Sequence, residues 1–95
     1  MMMKPRIPDP TPVGEMLEEE FLLPLGMTQS ELARRLGCAP RVVNEICRGK
    51  RGISAVMALK LGHVFKNSPE FWMNLQQAND LWKAWCDYKE TKRAV

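Results

Sequence analysis

Ala33, Gly37 and Val43 constrain what this chain can fold into more than any other feature of its sequence. A small residue, glycine four positions on and an aliphatic six after that is the spacing of a helix-turn-helix unit. The small side chain lets a second helix come close, glycine makes the turn, and the aliphatic packs back onto the first helix. The surrounding residues 28–51, TQSELARRLGCAPRVVNEICRGKR, agree with that reading. Thr28 is a good N-cap, Glu31 is placed to return the bond in a capping box, and Met27 and Leu32 suit a hydrophobic staple. Leu32, Ala33 and Leu36 form a narrow apolar stripe, and Gly37 follows the last turn, where a left-handed residue is needed. Pro40 fits the first position of a second helix, in which Val43, Ile46 and Cys47 recur at helical spacing. An ordinary helical hairpin with no nucleic-acid role is the alternative, and it does not require all three marker residues.

With Val43, Ile46 and Cys47 facing inward, Arg41, Glu45 and Arg48 line the opposite side, flanked by Pro40, Val42 and Asn44. These side-chain types match what a major groove offers. Arginine bonds guanine bidentately, asparagine bonds adenine, and an aliphatic such as Val42 touches the thymine methyl. Arg48, Lys50 and Arg51 fall at the end of the helix and just beyond it, where phosphates would run. A solvated charged face is the plainer account of the same residues. Gly49 and Gly52 bracket Lys50 and Arg51, which predicts a flexible loop able to approach a phosphate closely.

At these residues the chain resembles the phage-repressor (XRE) helix-turn-helix superfamily, and over most of its length the HigA-type antitoxins of bacterial toxin–antitoxin modules. The matching segments are PTPVGEMLEEEFLLPLGMTQSELARRLG, RVVNEICRGKRGIS, MALKLGHVF and SPEFWMNLQQANDLW. The resemblance implies an all-α, five-helix, lambda-repressor-like domain. It also implies that Gln29 contacts a phosphate and that Pro40, Arg41, Val42, Asn44 and Glu45 face the bases. Ala39 is a departure, because serine or threonine is common at that place. The recognition helix then lacks a side-chain cap, at about 1 kcal/mol.

Charge is distributed to suit a phosphate-facing unit. Residues 1–27 carry two basic and five acidic groups (net −3), residues 28–52 six and two (+4), and residues 53–95 six and four (+2). The positive excess therefore sits in the helix-turn-helix. Ninety-five residues allow one small domain with little core to spare, so a dimer interface would add useful burial. Three cysteines, Cys38, Cys47 and Cys86, with no close pair and no signal-peptide pattern, lead us to expect a reducing cytoplasm. No metal-ligand spacing joins them to His63, and no metal or other cofactor is expected. No apolar run is long enough for a membrane span.

Prolines at positions 5, 8, 10 and 12 predict an extended N-terminal arm over residues 1–10, either frayed or carrying Lys4 and Arg6 toward DNA or a partner. The domain is expected over residues 11–88, with a polar, frayed tail at 89–95. Thr11 and Pro12 open the first helix; Val13, Met16, Leu17 and Phe21 are its inward stripe, and Pro24 and Gly26 end it. Glu18, Glu19 and Glu20 are a solvated face or a surface for a basic toxin. Ser54 caps a fourth helix to about Lys66, with Ala58, Leu61 and Phe65 inward and Gly62 allowing close packing. Ser68 and Pro69 open the last helix. Its apolar residues exceed what one small core needs, which predicts a homodimer seam at Trp72, Leu75, Trp82 and Trp85. The alternative is that Phe71, Trp72 and Leu75 close the monomer core and Trp82 and Trp85 pack at its edge.

The expected function is twofold: a DNA-binding repressor acting as a dimer on an inverted-repeat operator, and an inhibitor of a toxin. The resemblance supplies the rest, namely its own operon as target and a HigB-type, RelE-like ribonuclease as partner. A stand-alone regulator without a toxin is the alternative. No paired carboxylates, phosphate loop or nucleophile–base pair points to an enzyme.

Overall fold

The computed structural model describes residues 10–94, with side chains through residue 89. The arm expected over residues 1–10 lies outside them, apart from Pro10. Five helices follow. Helix α1 spans residues 13–25, α2 is Gln29–Leu36, α3 Pro40–Cys47, α4 Ala55–Phe65 and α5 Pro69–Ala94.

Helix α1 departs from regular winding. Val13–Leu17 and Leu23–Leu25 are α-helical, but Glu18–Leu22 between them is a wide π turn, closed by the Leu23 N–H on the Glu18 carbonyl. Pro24 supplies a reason. It has no N–H to give the Glu20 carbonyl, and its ring crowds that group, so the ladder opens just upstream. The wide turn shifts the buried stripe. Leu22, five residues after Leu17, is sealed in the core, and Phe21 is only half-buried. A 3.6-residue period applied to the sequence misses that step. The helix also begins one residue later than expected. Pro12 is the capping residue, no side chain caps the end, and Gly26 closes the other end in the left-handed region (φ 61°).

Helices α2 and α3 form the expected unit. The Thr28 hydroxyl accepts the Glu31 N–H at 3.0 Å. The capping box is half-made, because the Glu31 carboxylate turns away to Arg34 (2.6 Å) and Arg35 (3.0 Å). Gly37 takes φ 72° in the turn, and the Cys38 N–H returns to the Ala33 carbonyl. Ala33, Val43 and Ile46 are sealed between the two helices and their neighbours. Helix α3 starts at Pro40 with no side-chain cap on Ala39 and is closed by Gly49, also left-handed.

Gly14 is the close approach that the sequence did not reveal. A methyl there would run into the Ile46 and Cys47 carbonyls, so α1 lies directly on the backbone of α3. Below this contact Val13, Leu17, Leu22, Leu32, Leu36, Ile53, Ala58 and Leu61 complete the core. Trp72 belongs to it too, with 0% of its surface exposed, which corrects its expected place in a dimer seam. Its ring sits 4.9 Å from Phe21 and 5.0 Å from Phe71, and its indole N–H donates to Asn67 at 3.0 Å. A core this small requires its largest side chain inside.

Helix α5 continues through the segment expected to be a frayed tail. Nothing after Pro69 stops it: residues 70–94 contain neither glycine nor proline and are rich in helix formers. The 26 residues extend about 39 Å, and the core-lining stretch ends near Leu75. No helix among the described residues is long and apolar enough to cross a membrane.

Two outcomes follow from this packing. Gly14→Ala is expected to lower stability by about 1–3 kcal/mol, read by urea unfolding, because backbone must move to admit the methyl. Hydrogen bonds from Arg34, and next from Arg35, hold the Glu31 carboxyl down at about 2 from a usual 4.5. A lowered folded-state value stabilises above the unfolded value and is lost as pH falls through the folded one. The melting-temperature advantage of the native chain over Glu31→Gln is therefore expected to be full above pH 4.5 and to vanish toward about pH 2.

Candidate nucleic-acid interface

The outward side of α3 is set by what holds its inward side. Val43 and Ile46 are anchored in the core, so Arg41 stands in solvent and Asn44 and Glu45 are half-buried along its edge. Pro40 is exposed at the start of the helix. Val42 is half-buried and packs against the core, so only part of its side chain faces outward. Arg48 and Lys50 are exposed beyond the last turn.

Several of the expected contacts are already engaged with one another. Gln29, the first residue of α2, donates its amide to Glu18 at 2.9 Å and accepts the amide of Asn44 at 3.1 Å. Arg51 donates through Nε (3.0 Å) and a terminal nitrogen (2.7 Å) to one oxygen of Glu45. These hydrogen bonds, and next the charges of Arg51 and Arg41, hold the Glu45 carboxyl below its usual range. Glu45 is therefore a carboxylate that presents Arg51 beside the helix. The Cys47 thiol is pushed up to about 12, by burial first and then by the charge and hydrogen bond of Glu18. It remains a thiol, half-buried against the core and not sealed within it as its place in the pattern implied.

The loop that follows α3 is fastened at its far end, contrary to the flexible loop expected. Ile53 is buried and donates its N–H to Gln76 of α5 at 2.7 Å. Gly52 lies flush against that glutamine, where a Cβ would meet its amide at 3.2 Å. Gln76 in turn donates to Asp80 at 2.9 Å. The cations of the loop thus project from a held backbone.

Of the other residues of this surface, Glu18 was marked in the sequence only as part of an acidic run, and Gln76 was not singled out. Their partners lie 11 and 23 positions away, Gln29 on another helix and Ile53 in the loop after α3, so no local spacing marks them. Of the remaining seam residues, Leu75 is half-buried against the core, and Trp82 and Trp85 are half-buried on the projecting part of α5. Leu81 (50%) and Tyr88 (52%) are exposed beside them.

The profile of the helix-turn-helix family matches residues 19–72. The antitoxin HigA-1 of Vibrio cholerae is 41% identical over 86 residues, which cover 90% of this chain and 81% of that protein. Among solved structures, the Pseudomonas aeruginosa antitoxin HigA with the higBA promoter superposes with a TM-score of 0.82 at 40% identity, covering 90% of this chain and 95% of that one. The antitoxin GraA in complex with its operator superposes at 0.83 with 39% identity, covering 99% of this chain and 94% of that one. The anchored α2–α3 pair lies inside the matched segment, and the chain belongs to the helix-turn-helix family, as a HigA-type antitoxin.

Proposed function

We propose that the chain represses its own operon by binding an inverted-repeat operator as a homodimer, and that it neutralises a RelE-like, HigB-type ribonuclease toxin in the cytoplasm. The observation that carries the DNA half is the exposed edge of α3, held from behind by Val43 and Ile46 and flanked by Arg48, Lys50 and Arg51. The relatives solved with promoter or operator DNA support carrying that activity over. In this reading α3 enters the major groove, with Arg41, Asn44 and Glu45 on base edges and Pro40 and Val42 against the groove wall. Gln29 and the cations after α3 bind phosphates, and Arg51 transfers from Glu45 to the backbone when DNA docks.

The dimer rests on the projecting part of α5. Trp82 and Trp85 lie there with Leu81 and Tyr88, outside the core, where large aromatics concentrate interface energy. A twofold pair places its reading helices about 34 Å apart, one turn of DNA. The toxin half rests on kinship with antitoxins, and no side chain is assigned to it.

Arg41→Ala is expected to weaken operator binding about tenfold to a hundredfold in a band-shift titration, leaving toxin neutralisation in a growth-rescue assay intact. No shift for the native chain at low salt refutes the repressor half, and an unrescued culture leaves a stand-alone regulator. Lys50→Ala is expected to lower affinity for all sequences alike and to reduce the slope of log affinity against log salt by about one. Replacing Trp82 and Trp85 together by alanine is expected to yield a folded monomer in sedimentation equilibrium, and a dimer that persists refutes the seam.

A further inference from the structure

Three polar side chains form a relay that ends at the edge of α3. Gln29 Nε2 donates to Glu18 Oε1 at 2.9 Å, and Asn44 Nδ2 donates to Gln29 Oε1 at 3.1 Å. The direction of this relay is dictated by chemistry at its first member. A carboxylate only accepts hydrogen bonds, so it takes the amino end of the Gln29 amide and turns the carbonyl end toward α3. That carbonyl also only accepts, so it takes the amino end of Asn44. One N–H of Asn44 is thereby engaged, and its carbonyl oxygen and second N–H remain for a ligand in one fixed order. Adenine offers a matching donor and acceptor in the major groove, at N6 and N7.

We propose that Glu18 is a specificity-determining positioning residue: acting through Gln29, it fixes which end of the Asn44 amide donates and which accepts, and so selects adenine opposite Asn44. The inference rests on the DNA reading above and adds a residue that touches no base. Glu18 stands apart from its neighbours in this respect. All three glutamates are exposed, but Glu19 and Glu20 make no side-chain hydrogen bond among the described residues, so a charged face alone does not account for the Glu18 geometry. Asn44 is half-buried, so its amide does not exchange freely between water and protein partners. Docking DNA over this edge removes competing water from the Glu18–Gln29 bond and strengthens it.

The test uses duplexes that the full native chain selects from a pool randomised over about 20 base pairs, enough for two half-sites one turn apart. The pair read by Asn44 is the one whose preference disappears in Asn44→Ala. Glu18→Gln is the decisive variant, because a glutamine at this position both donates and accepts and lets the amides at 18 and 29 turn over together. At the Asn44 pair it is expected to lose at least about fivefold of the discrimination for adenine. Preferences elsewhere in the site are expected to stay unchanged, and the double variant to be no worse than Asn44→Ala alone. Preference for another base at that pair overturns the proposal, as does native discrimination in Glu18→Gln. A change in affinity spread evenly over all sequences also overturns it, since that marks a charge effect or a general loosening. An Asn44→Ala chain that keeps every preference overturns it as well. A native chain that selects no sequence refutes the DNA reading itself, and this inference falls with it.

Discussion

Helix α3 is eight residues long, has no side-chain cap, and is far below the length at which a helix holds together alone in water. Burial of Val43 and Ile46 against α1 and α2 is what gives it a shape, and the bare backbone at Gly14 is what lets α1 come close enough to supply that burial. The outward side chains inherit their aim from this contact. An arginine on a frayed helix would sample many directions and lose entropy on meeting a base edge, whereas Arg41 stands on an element already fixed from behind.

The same economy shows in the charges. The helix-turn-helix segment is strongly positive in composition, yet Arg34 and Arg35 both bind Glu31, and Arg51 binds Glu45. Among the described residues of that segment, Arg41, Arg48 and Lys50 are the cations without a carboxylate within ion-pair distance. They gather at α3 and the turn after it, away from the middle of α2. Exposed pairs of this kind contribute little to stability. Their effect here is to decide which cations a polyanion meets first.

Local patterns were legible where one element reports on itself. The Thr28 and Ser54 caps, the Gly37 turn, Pro40 at the first position of α3 and the inward Val43 and Ile46 are all where spacing placed them. The all-α fold was legible for the same reason. What failed were one irregularity inside α1 and several features set by the meeting of two elements. The wide turn in α1 arises from a ladder that Pro24 interrupts, and it moved the stripe to Leu22. Trp72 looked like surplus aromatic surface until Phe21 and Phe71 were found around it. The Glu18–Gln29–Asn44 relay and the clasp of Gln76 on Ile53 join residues far apart in the chain, and no periodicity encodes them.

The unbroken run of α5 carries a mechanical consequence. A helix with no glycine or proline after its first residue behaves as a rod, so its far end is oriented by its near end and not by a hinge. Inserting a single residue between Gln76 and Trp82 would swing the distal aromatic face by about 100° and advance it by about 1.5 Å. Helical phase therefore acts as the ruler for anything that docks on that face, and it ties the pose of a docked molecule to the seating of Trp72 inside the bundle.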